Sequence, residues 1–257
     1  MNIARSLVPA ALVATLFTTA IAHATEPTIS PIEHATLALT QAAYDTPEAI
    51  VKARAQIAGL QAADPKSHSL HYWVALADYR LAPRLMSKDK KEAGRYIKDG
   101  IEHLDQALKL NPKFADAIAL RAGLQGLSVA IDPSRGMMLG MEMEEAYGRA
   151  LGMEPSNPRV VLLQGINTLN KPKFVGGGAD KALVTFMKAI ELFAAENSGA
   201  IRWGHDDAYA WAGRAAAKLD KTADARAFYK KALEINPGNQ WVEHVLLPAL
   251  DKEKVKS

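Results

Sequence analysis

Cysteine is absent from all 257 residues. That excludes disulfides, thiolate nucleophiles and cysteine-ligated metal sites. Long apolar runs are scarce. The most prominent, residues 7–21, is interrupted by Thr15, Thr18 and Thr19 and is shorter than the ~20 residues a membrane-spanning helix needs. Charge of one sign is lacking too: 31 basic residues face 28 acidic ones, a net +3. Nucleic-acid binding calls for Lys and Arg clustered on one face, so it is not expected. Catalytic signatures are also missing. There is no G-x-S-x-G, no H-E-x-x-H and no Walker loop, so no residue is named as a catalyst and no cofactor is expected. The chain reads as a non-enzyme.

The first 24 residues have the layout of a cleavable secretory signal. Arg5 is their only charged residue, the apolar run follows, and Ala22-His23-Ala24 forms an A-x-A site. The expectation is a periplasmic protein with no stable membrane insertion after cleavage. No cysteine follows the site, so lipid anchoring is not expected either.

What is present is a repeat. Residues 206–239 read as two short amphipathic helices and a proline turn. Ala212, Gly213, Ala225 and Ala232 sit where the helices must approach closely, and Tyr229 sits where a large ring would plug between them. Pro237 ends the second helix, because the residue before a proline disfavours the α conformation. The hexapeptide ALKLNP at 107–112 parallels ALEINP at 232–237, and RALGMEP ending at Pro155 echoes the same close. Prolines 65, 112, 155 and 237 fall at intervals of 47, 43 and 82, the last being two units. The pattern A-G…A-x3-[FY]-x2-A-x4-P over 34 residues resembles the tetratricopeptide repeat (TPR). The resemblance implies an all-α, right-handed solenoid of about ten helices that binds a protein or peptide. The units are expected at about 31–65, 68–112, 114–155, 157–196 and 206–239, with a capping helix at about 240–250. Ser30, Pro31 and Glu33 form a capping box for the first helix.

Several residues are candidates for binding. First helices line the inner groove of such an array, which would point Asp78, Asn167, Asn170, Arg214 and Lys218 inward. Asn170 with Arg214 and Lys218 resembles part of a carboxylate clamp, built on charge-assisted hydrogen bonds. Ala119, Gly123 and Gly126 leave the unit between without polar inner side chains and favour tight helix packing. Trp203, Trp211 and Trp241 read as core. The loop KPKFVGGGADKAL, residues 171–183, could offer Gly176, Gly177 and Gly178 N–H groups to an anion, with Lys173 adding charge. The competing reading, a tight reversal between two helices, is favoured. The same loop is similar to one in periplasmic TPR-like accessory proteins such as the T component of TRAP-type transporters. That similarity implies an adaptor of an envelope assembly or transporter.

Met137, Met138, Met141 and Met143 place four soft thioethers within seven residues. The alternative function is therefore a copper or small-ligand carrier, set against methionines that simply fill a core. The histidines read as surface or cap residues, and His205-Asp206-Asp207 as a helix N-cap. Insertions between the two helices of each unit fall on one edge of the solenoid, where partner contacts or self-association are expected.

Overall fold

The computed structural model describes residues 29–196 and 201–254; the signal-peptide reading of residues 1–24 lies outside them. Eleven α-helices and no strand occur among the described residues. They pair as α1 (Pro31–Ala42) with α2 (Pro47–Ala63), α3 (His68–Leu85) with α4 (Lys90–Leu110), and α5 (Ala115–Ile131) with α6 (Gly136–Met153). Then come α7 (Pro158–Asn170) with α8 (Ala179–Ala195) and α9 (His205–Ala217) with α10 (Thr222–Ile235). Residues 240–254 are helical, with a π-helical turn at Val242–Leu246 running into α11, Leu247–Lys254, so the cap starts where expected and runs past residue 250.

Local chemistry sets most boundaries. The Ser30 amide donates to Glu33 Oε2 at 2.9 Å, while the Glu33 amide donates to Ser30 Oγ at 3.3 Å, the reciprocal pair that opens a helix. Thr46, Ser67, Asp89 and Asn157 cap α2, α3, α4 and α7 with their side chains. His205-Asp206-Asp207 is a correction. The cap of α9 is Gly204 at φ 105, with no side-chain bond, and the two aspartates lie inside the first turn.

The units pack by fitting a ring against a glycine. A Cβ on Gly165 of α7 would stand 2.6 Å from Phe186 of α8. A Cβ on Gly213 of α9 would collide with the Tyr229 ring of α10. Between units, Gly123 of α5 leaves room for Tyr79 of α3 and Leu163 of α7, at 3.1 and 3.5 Å from its Cβ position. Small residues therefore carry the close approaches, and one continuous core runs from Ala35 to Ala215. A second cluster, including Tyr229, Val242 and Leu250, joins the last repeat to its cap.

Candidate ligand surface

First helices line the inner face, but its N-terminal half is filled by the chain itself. The segment 201–207 folds back onto α1 and α3. Trp203, buried, donates its indole N–H to the Tyr72 hydroxyl at 2.9 Å. Thr40 Oγ1 approaches the Arg202 carbonyl at 3.4 Å. Arg80 grips Asp207 with both guanidinium arms, one at 2.8 Å, and stacks on Trp203 with 5.0 Å to the ring centroid. Unit five thus closes onto units one and two, through residues 127 positions apart.

Asp78 does not face a ligand. It is fully buried and takes a two-armed bond from Arg54, at 2.5 and 3.1 Å. Arg159 bonds Asp116 at 3.0 Å and also grips Glu196. Arg84 has no carboxylate partner among the described residues, yet it donates to the carbonyls of Arg80, at 3.0 Å, and Ala43. These arginines obey the rule that a cation removed from water is matched by an acceptor.

Arg214 does not. It is half-buried on α9, and no carboxylate among the described residues pairs with it. Its guanidinium lies over the Trp211 ring, 4.5 Å from the centroid, and 5.7 Å from that of Trp241. Burial lowers its proton affinity, and Tyr229 opposes this by a smaller effect. An arginine stays protonated throughout the physiological range, so this is a desolvated cation with two aromatic walls and no counter-charge among the described residues. Lys218, one turn onward, is exposed. Trp211 and Trp241 are correspondingly half-buried wall residues rather than full core.

The rest of the expected clamp is not assembled. Asn170 turns its amide to the Ile166 carbonyl of its own helix, at 2.8 Å. Asn167 donates to Glu144 of α6 at 2.8 Å, and the same carboxylate holds Lys171 at 2.7 Å. Both asparagines are engaged away from Arg214.

The glycine loop is a reversal, not an anion cradle. The Gly176, Gly177 and Gly178 amides donate to the carbonyls of Lys173, Pro172 and Thr168, at 3.0, 3.1 and 3.0 Å. None is left to point at a ligand. Gly176 and Gly178 take φ values of 90 and 144, and a Cβ on Gly177 would strike the Lys171 carbonyl, which explains why the turn requires glycine. Lys173 is exposed at its tip. The methionine quartet is divided as well. Met143 is buried beside Gly126, whereas Met137, Met138 and Met141 are 85%, 53% and 69% exposed. No group of three His, Asp or Glu side chains is arranged to hold a metal ion among the described residues.

His71 departs from the surface reading. It is buried, its Nδ1 lies 3.0 Å from Nδ1 of His103, and its Nε2 lies 3.2 Å from the Pro65 carbonyl. Gln61 Nε2 lies 3.3 Å from the same His71 Nε2, so the direction of the bond between the two rings follows the His71 tautomer. Burial, His71 and Arg54 together push His103 down to about 4.

Comparison with known proteins agrees with this architecture. Residues 206–239 match the tetratricopeptide repeat family. A thermophilic TPR protein of Thermus thermophilus, TTC0263, superimposes with a TM-score of 0.61 at 16% identity, covering 86% of this chain and 99% of that one. The HusA haemophore of Porphyromonas gingivalis gives a TM-score of 0.63 at 23% identity, covering 76% of this chain and 96% of the other. No curated protein matches the chain. The fold is the tetratricopeptide-repeat solenoid, an architecture whose members generally act as scaffolds for protein interaction.

Proposed function

We propose that this chain is a non-enzymatic periplasmic adaptor, exported by residues 1–24, whose last repeat binds an acidic or C-terminal carboxylate group of a protein partner. The observation that carries the reading is Arg214, half-buried against Trp211 and Trp241 without an anion among the described residues, with Lys218 one turn onward. A carboxylate would supply the missing charge-assisted bonds, and the indoles would wall off water. The glycine loop's likeness to periplasmic accessory proteins supports a place beside an envelope transporter or assembly. The test is a titration of acidic peptides with free or amidated C-termini, followed through indole fluorescence. Arg214→Gln should abolish binding while helicity is unchanged; equal affinity in that variant would remove the proposal.

A second reading, a small-ligand carrier, is favoured by the likeness to a haemophore over most of that protein's length and by the three exposed thioethers. Copper(I) and haem titrations address it directly. A stoichiometric complex weakened by Met141→Leu would support it, and absence of binding to either would remove it.

A further inference from the structure

The glycine loop is a rigid mount, and what it mounts is exposed. Its three amides are all spent internally, and Lys171 is pinned to Glu144. The short 3-10 turn between them, Lys173–Val175, is thereby pushed outward, leaving Phe174 89% and Val175 54% exposed. In the neighbouring unit, the first turn of α6, just after the connection 132–135, does the same with Met137 and Met138. Both connections join the first and second helices of a unit. Consecutive helices are antiparallel, and α3, α5 and α7 pack side by side, so the connections of units two, three and four share one edge.

That edge is basic. The connections 86–89, 132–135 and 171–178 hold Lys88, Arg135, Lys171 and Lys173 against Asp89 and Asp132, with Lys90, Lys91 and Glu92 beside them in the first turn of α4. Both aspartates are occupied as caps, accepting from the amides of Glu92 and Ser134 at 2.9 and 3.1 Å. The opposite edge, spans 64–67, 111–114 and 154–157, is balanced: Lys66 and Lys113 face Asp64 and Glu154. The basic edge therefore carries protruding apolar tips set among cations.

We infer that this edge docks on an anionic lipid surface, with the Phe174–Val175 tip and the Met137–Met138 shoulder entering the headgroup layer and the lysines meeting phosphates. Isolated apolar protrusions among basic side chains suit a fluid interface, whereas a protein partner would call for a contiguous, well-packed patch. No helix among the described residues is long and apolar enough to cross a membrane, so the contact is peripheral. It is independent of the Arg214 site, which lies on α9.

The test is vesicle flotation of the purified chain after removal of residues 1–24. Vesicles of phosphatidylcholine with about one-third phosphatidylglycerol should carry the protein at low salt, and pure phosphatidylcholine should not. Raising the salt should release it, because exposed charges are screened. Phe174→Ser with Val175→Ser should reduce the bound fraction roughly tenfold, and Lys88→Glu with Lys173→Glu by a similar factor. Lys66→Glu with Lys113→Glu, the same charge change on the opposite edge, should change it little. A Phe174→Trp variant, read by difference from the parent, should show blue-shifted emission with anionic vesicles. Failure to float, equal flotation on neutral lipid, an equal loss in the opposite-edge variant or an unshifted signal from the introduced indole would each overturn the inference. An acidic protein that held this edge while vesicles did not would overturn it too.

Discussion

Arg80 and Arg214 occupy comparable settings and are treated in opposite ways. Both lie on first helices of their units, are largely withdrawn from water and stack on tryptophan. Arg80 has Asp207; Arg214 has no anion among the described residues. The first arrangement fastens the last repeat to α3 and fills the N-terminal half of the inner face with the chain's own side chains. The second leaves a cation to which the described residues bring aromatic walls and no carboxylate. A buried charge that is paired holds structure together, whereas one left unpaired marks a place where something else completes the pairing.

Removing the carboxylate breaks this comparison most severely. Asp207→Ala leaves Arg80 buried and uncompensated, at a cost of about 3–5 kcal/mol, and urea unfolding should show the loss. Next is Gly177→Ala, whose methyl group strikes the Lys171 carbonyl. The loop must open to admit it, costing about 1–3 kcal/mol by the same measurement, and the exposed Phe174 tip should lose its fixed position.

Acid comes third. His103 titrates at about 4 in the folded chain, against about 6.5 when unfolded. The unfolded state binds the extra proton first, so this stability is present above pH 6.5 and is lost as pH falls towards 4. Tm should drop between pH 7 and pH 5, and the drop should shrink in His103→Gln. The smallest effect belongs to Met137→Ala. That side chain touches little and should change stability by no more than about 0.5 kcal/mol, whereas Met143→Ala should cost about 2–5 kcal/mol.

The repeat was legible because its determinants are local. The capping box at Ser30, the proline turns, and the match of Gly213 to Tyr229 all lie within one helix or one hairpin. The glycine loop was legible as a reversal for the same reason. The closure of the array was not. Asp207 meets Arg80 across 127 residues, and nothing in the neighbourhood of either names the other. Asp78 and the two asparagines were misplaced because a face of a helix does not say which neighbour it meets. Asn167 found Glu144 and Asp78 found Arg54. The methionines were visible as a cluster, yet less than one turn of helix separates a buried Met143 from an exposed Met141. His71 and His103, 32 residues apart, carried no spacing that would pair them.

The most direct test is a matched pair of substitutions, Arg80→Gln and Arg214→Gln, compared by urea unfolding. Arg80→Gln should lose about 3–5 kcal/mol, because Asp207 is left buried without a cation. Arg214→Gln should unfold at the same urea concentration as the parent or a higher one, since it removes a desolvated charge that no carboxylate pairs with among the described residues. A loss at Arg214 equal to that at Arg80 would make Arg214 a structural residue and contradict the account.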